Sequence, residues 1–276
     1  MRFDFIAKEI RNAKMPFMPF IELSHMRFYY ELRGAGERLL VFNGSGGDLR
    51  RKPSLMDGPL PQHFETLCHD QRGLGQSDQP DTPYSMKDYA DDAEALLEAL
   101  AWSNCHVLGI SFGGMVAQEF AIRHPQRVNK LVLACTSSGG EGGASFPLHT
   151  LPDLPPEERG VKTLQVLDTR LDAAWHEANP DAARHIIAAL SPSQEETDGS
   201  LKPKPGPARQ MEARMGHDTW DRLSQISHPV FCCGGLHDGI APMENMRHLA
   251  ERIPNAELEF FEGGHIFLQQ DPRAWE

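Results

Sequence analysis

Ser111 stands in "GISFG" (109–113), between the apolar run "CHVLGI" (105–110) and a stretch that reads as a helix carrying Met115, Val116 and Phe120. G-x-S-x-G placed after a strand and before a helix is the setting of a nucleophile elbow. The flanking glycines let the chain turn tightly without a Cβ collision. The helix N-terminus beneath the serine favours developing negative charge. A serine hydroxyl is a weak nucleophile at neutral pH and needs a base and an orienting acid. "CCGGLHDGIAP" puts Asp238 in the loop after one strand, and "FFEGGHIFL" puts His265 after the next. Serine, then acid, then histidine is the chain order that accompanies an elbow serine. Of the 13 histidines, His265 alone falls in a glycine-flanked loop after the last strand. His106 lies in a strand, His124 at a helix end, and His237 beside the acid.

Acyl chemistry also needs donors for an oxyanion. "LLVFNGSGGD" (39–48) makes a small glycine-rich turn whose backbone can present N–H groups to the serine, Ser45 first and Phe112 second. The same turn lacks the lysine and spacing of a phosphate-cradling P-loop. No acid-bearing strand supports a dinucleotide site. "GHDTWDRL" gathers His217, Asp218 and Trp220; capping and packing account for them better than a second catalytic pair.

The elements that must position these groups are legible as alternating runs. "FIEL" and "MRFYYEL" read as a hairpin. "LLVFN", "FETLCH", "CHVLGI", "KLVLACT", "PVFCCGG" and "ELEFF" read as further strands, apolar enough to be buried on both faces of a mostly parallel sheet. Ser85 and Asp88 form a capping box opening a helix that runs to about Trp102. Another helix starts at Pro242 and stops at Pro254. Strand–helix alternation of this kind is an α/β domain. It breaks between 137 and 226, where "PEERGVKTLQVLDTRL", "DAAWHEAN", "PDAARHIIAAL" and "ARQMEARMG" read as helices around the polar loop "SPSQEETDGSLKPKPGP". The expected organisation is an N-terminal extension (1–17), an α/β core (18–136 and 227–276) and an inserted α-helical cap (137–226). The far end, "LQQDPRAWE", stops where a further helix would begin.

Bulk properties narrow the partners. A formal charge of −12 argues against nucleic acid. No apolar stretch is long enough to span a membrane, and the N-terminus lacks the apolar core of a secretory signal, so the cytoplasm is the expected location. The five cysteines lie in or beside apolar runs without zinc-ligand spacing and read as core residues; no metal or cofactor is expected. The acidic pairs Asp91–Asp92 and Glu157–Glu158 read as solvated helix faces. Nothing speaks against a homo-oligomer.

Across nearly its whole length the chain resembles the α/β-hydrolase superfamily, through "NGSGG" (43–47), "DQRGLGQSD" (70–78), "GISFGG" (109–114), "GGLHDGIAP" (234–242) and "GGHIFL" (263–268). The resemblance implies a mostly parallel central sheet flanked by helices, with Ser111 as nucleophile, Asp238 as acid, His265 as base, and Ser45 and Phe112 giving the oxyanion N–H groups. It makes the loop of Asp70, Arg72, Gly73 and Gly75 structural and sets it beside the pocket. Asn43 stands where the family usually has histidine. A serine at the elbow sets aside the relatives that use aspartate there, the epoxide hydrolases and haloalkane dehalogenases. The expected activity is hydrolysis of small to medium carboxylic esters through an acyl-enzyme. The alternatives are lactone or C–C bond hydrolysis, for which Arg72 is the motif-adjacent anchor for a substrate carboxylate, or a non-catalytic ligand-binding protein on this scaffold. Met115, Phe146, Trp175, Met211 and Met215, with Leu148 and Leu151, are the candidate pocket residues.

Overall fold

The computed structural model describes residues 19–23, 25–190 and 204–276. The expected extension at 1–17 and most of the polar loop within 191–207 lie outside them. Eight strands form one sheet in the order β1-β2-β4-β3-β5-β6-β7-β8. They are β1 (Phe20–Glu22), β2 (Arg27–Arg33), β3 (Glu37–Phe42), β4 (Phe64–His69), β5 (Cys105–Ile110), β6 (Val128–Ala134), β7 (Val230–Gly235) and β8 (Ala256–Phe261). The first three in the sheet order pair antiparallel; from β4 to β8 every pairing is parallel. This is the α/β class expected from the apolar runs.

Period-two alternation explains why those runs are apolar on both faces. Leu40 and Phe42 enter one core with Leu67, Val107 and Phe120, whereas Leu39 and Val41 enter the opposite core with Cys68, Leu108 and Phe261. Cys232 and Cys233 divide between the same two cores, and all five cysteines are buried and unpaired. Helix α1 (Met86–Ala99) opens with the expected reciprocal cap: Ser85 Oγ accepts from Asp88 N, and the Asp88 carboxylate accepts from Ser85 N. Its buried face carries Tyr89, Ala93, Leu96 and Leu97. Helix α2 (Phe112–Arg123), buried from Phe112 through Ala121, follows β5 directly.

Asp92 corrects the solvated-face reading. It is 2% exposed and receives the Arg72 guanidinium through two 2.6 Å bonds, with His25 Nε2 at 2.9 Å. Its partners lie far along the chain, so no helix-face pattern announces them. Asp91 beside it is more exposed and accepts from Arg123; Glu158 is exposed as expected.

Between β6 and β7 the described residues form only helices and short 3-10 turns: α3 (Pro156–Leu167), α4 (Ala173–Ala178), α5 (Pro180–Leu190) and α6 (Gly206–Met215). Helix α7 (Met243–Arg252) then packs between β7 and β8. No described helix is long and apolar enough to cross a membrane.

Three buried groups set the acid response of this fold. Burial pulls the His69 and His217 imidazoles down to about 4, so both are neutral in the folded chain at pH 7. Their stabilisation is complete above the unfolded value near 6.5 and is lost as pH falls through 4. Burial lifts the Asp70 carboxyl to about 6, which works the opposite way, withdrawing stability as pH rises from about 4 to 6. Each effect is on the order of 3 kcal/mol, so one histidine's worth is left uncompensated. Equilibrium unfolding in denaturant should therefore show stability falling by about 3 kcal/mol from pH 7 to 4. His69→Phe, which keeps an aromatic ring beside Phe28 and Phe42, should flatten that limb. An unchanged slope in the variant would contradict the assignment.

Candidate active site

The chain reverses direction across the sheet at β3, whose neighbours are β4 on one side and β5 on the other. A crevice at the carboxyl ends of strands at such a switch point is where α/β sheets bind ligands. The loop after β3 carries Ser45, and the turn after β5 carries Ser111.

Ser111 has φ 56° and ψ −117°, a conformation that a residue with a Cβ rarely adopts. The surroundings hold it there. Its N–H donates to Ala134 O (2.9 Å), and its carbonyl accepts from Gly114 N (2.9 Å) and Thr136 Oγ1 (2.7 Å). Gly113 permits the close approach of α2 to the end of β3, because a Cβ there would collide with the Phe42 carbonyl and lie 2.7 Å from Asn43 O.

Asp238 and His265 complete the constellation. His265 Nε2 lies 2.9 Å from Ser111 Oγ, and Nδ1 lies 2.8 Å from Asp238 Oδ2. The Asp238 side chain is fully buried and that of His265 is 11% exposed. Asp238 Oδ1 is held by Ile240 N (2.7 Å) and Ala241 N (2.8 Å). The acid therefore accepts two backbone donors with one oxygen and offers the other to the imidazole. Behind it, burial and the nearby Asp238 push the Cys135 thiol well above its ordinary value, which keeps it a neutral packing group.

Helix α3 ties the two loops together. Its last carbonyls have no partner within the helix. Val166 O accepts from Gly239 N (3.0 Å) and Leu167 O from His265 N (2.6 Å). Gly264 makes the second contact feasible, since a Cβ there would strike Leu167 O and lie 2.7 Å from Asp168 Cα.

On the opposite side, Gly47 N and Gly46 N are taken by Gly44 O (3.2 Å) and Gln210 Oε1 (2.9 Å). Among the described residues the Ser45 N–H has no acceptor, and Phe112, as the first residue of α2, has none within its helix. Asn43, standing where the family usually has histidine, accepts from Gln71 Nε2 with its backbone carbonyl (2.9 Å), and its side-chain Nδ2 donates to Cys68 Sγ (3.4 Å).

A cavity of about 430 Å³ covers Ser111 and His265, lined by Leu55, Ile110, Leu148, Leu151, Val166, Ile240 and Trp275 among others, with no lysine or arginine among the described residues of its wall. It adjoins a hollow of about 580 Å³ along residues 43–59, sharing Ser45, Leu55, Leu268 and Trp275. Leu148 and Leu151 lie where the sequence set them. Met115, Phe146, Trp175, Met211 and Met215 do not reach the cavity. Met115 is 3% exposed within the core under the elbow. Phe146 faces an outer groove between α3 and α5, with Lys162 over its ring. Trp175 and Met211 sit on α4 and α6 away from it, and Met215 is 56% exposed. Apolar residues at helical spacing served packing here. The residues that reach the cavity instead were signalled by adjacency to Asp238 and His265 (Ile240, Ile266) and by the i, i+3, i+4 spacing of Thr163, Val166 and Leu167.

Three further expectations resolve by geometry. Arg72, buried against Asp92, is not an anchor for a substrate. The Asp70 loop is structural: its carboxylate accepts from Leu49 N (2.8 Å) and Gln76 N (2.9 Å). His217 lies on Ser137 O (3.1 Å), and Asp218 caps Trp220 N (3.0 Å), so this pair packs rather than reacts.

The family profile described as "alpha/beta hydrolase fold" matches residues 37–272. A poly(3-hydroxyalkanoate) depolymerase of Ectopseudomonas oleovorans is 31% identical over 233 residues, covering 83% of this chain and 78% of that protein. A 3-oxoadipate enol-lactonase 2 of Acinetobacter baylyi is 29% identical over 248 residues, 89% of each chain. Among solved structures, the enol-lactonase from Burkholderia xenovorans LB400 superposes with a TM-score of 0.72 at 22% identity, covering 93% of this chain and 96% of that one, a likeness of fold.

The fit of α3 against the His265 loop predicts a sensitive position. Gly264→Ala should cost about 1–3 kcal/mol by overpacking. For a chain of this size that lowers Tm by several degrees, at about 2–4 °C per kcal/mol. Scanning calorimetry checks it; a variant melting with the parent would show that the contact has slack.

Proposed function

Because the chain belongs to the α/β-hydrolase family, we propose that it is a serine hydrolase of small to medium carboxylic esters, working through an acyl-enzyme. The observation that carries this reading is the hydrogen-bonded line Ser111–His265–Asp238 opening into an apolar cavity. Ser111 Oγ attacks the ester carbonyl while His265 Nε2 takes its proton. The Ser45 and Phe112 amides receive the oxyanion, whose stabilisation by each donor is worth about 3–4 kcal/mol. Collapse of the tetrahedral intermediate expels the alcohol, which receives its proton from His265. Water, activated by the same imidazole, then releases the acid. Asp238 fixes the ring tautomer and stabilises the imidazolium. The helical segment over the site serves as a cap that excludes bulk water. A volume near 430 Å³ suits a small or medium substrate.

Lactones, which are cyclic esters, form the second reading, favoured by the similarity to an enol-lactonase. The C–C hydrolase alternative is weaker: its anionic substrates need a cationic anchor, and the described wall of this cavity contains no lysine or arginine.

With p-nitrophenyl butyrate, Ser111→Ala should lose on the order of 10⁴–10⁶ in turnover, and Asp238→Asn about 10⁴. A fluorophosphonate should label the parent at Ser111. Parental turnover in Ser111→Ala would end this reading; a panel of alkyl esters beside γ- and δ-lactones separates its two forms.

A further inference from the structure

One buried cation outside the catalytic line has no counter-ion among the described residues. Arg214, in the last turn of α6, is 7% exposed. Its Nη2 donates to Ser145 Oγ (2.7 Å), and its Nε has no partner among the described residues. No described carboxylate reaches it, whereas the comparably buried Arg72 is forked onto Asp92. Desolvation alone brings the guanidinium down to about 10, so it remains charged at neutral pH. A buried charge left without compensation is strongly unfavourable, and a ligand of opposite charge removes that cost.

The space before Arg214 is a chamber of about 320 Å³, distinct from the cavity on Ser111. The segment 144–149 is their shared wall: Leu148 faces the catalytic side, while Ser145, Pro147 and His149 face the chamber. Ser137, 1% exposed, lines it with an Oγ that has no partner. Met115 and Pro147 give it an apolar side, and His217, neutral at pH 7, adds no second charge. A guanidinium N–H and a hydroxyl, both unmatched among the described residues, thus belong to side chains that line a small, partly apolar space with no acidic residue in its described wall.

We propose that this chamber binds a short aliphatic carboxylate, its head group on Arg214 and Ser137 and its tail against Met115 and Pro147. Guanidinium–carboxylate pairing matches the unpaired Arg214 side chain in charge. The carboxylate is either a free acid or the acid arm of a substrate whose ester reaches Ser111. The free-acid form is independent of the hydrolase reading; the second form rests on it.

Two arms test this on the full chain. In calorimetric titration, sodium butyrate should bind and butyramide should not, with butyrate affinity at least about tenfold weaker in Arg214→Gln, as for loss of a charged partner. Ser137→Ala repeats the measurement with only a hydroxyl removed. In the kinetic arm, the ratio of kcat/KM for monoethyl glutarate to that for ethyl butyrate is compared between parent and Arg214→Gln. A tenfold fall in the ratio makes the carboxylate a substrate arm. An unchanged ratio with Arg214-dependent butyrate binding makes it a free ligand. Absence of any Arg214 dependence in both arms overturns the site, and leaves the ester reading standing on the turnover of ethyl butyrate.

Discussion

The left-handed backbone of Ser111 is the constraint around which the rest of the molecule is arranged. A non-glycine residue held so costs on the order of 1–3 kcal/mol and persists only where its neighbours leave no alternative. Here they come from two separate parts of the chain: Ala134 and Thr136 at the end of β6 and just beyond it, and the first turn of α2. Gly113 lets that turn press against the end of β3. The result is a hydroxyl raised from the sheet edge toward His265, with the α2 amides beneath it.

Electrostatics follows the same division between committed and uncommitted groups. Asp238 is saturated by backbone donors and the imidazole. Asp70 and Asp92 are buried but fully engaged, one with backbone amides and one with Arg72. Against this background the amide of Ser45, the hydroxyl of Ser137 and the Nε of Arg214 are donors without acceptors among the described residues. Buried polar groups are ordinarily satisfied; among the described residues Ser45 lines the catalytic cavity, and Ser137 and Arg214 line the chamber beside it.

The sequence was most readable where local chemistry and tertiary role coincide. Strand runs, the Ser85–Asp88 box and the glycine-rich turns around Ser111, Asp238 and His265 announce themselves because their residue types are dictated by backbone geometry. Pocket lining was less readable. Met115, Trp175 and Met215 looked like cavity residues because large apolar side chains on helices can face either a core or a ligand, and spacing does not separate the two. Arg72 and Arg214 illustrate the harder limit. One is neutralised by Asp92 and the other is left alone, and that difference lies wholly in long-range pairing.

The end-on seating of α3 on the acid and base loops has a consequence for traffic. Swinging α3 away at that corner would break the Val166 and Leu167 carbonyl contacts and carry the imidazole off its serine. That corner is therefore a fixed hinge-post rather than a door. The other flank is built differently: there the hollow bounded by residues 43–59 meets Leu268 and Trp275 and adjoins the cavity on Ser111 without involving those carbonyl contacts.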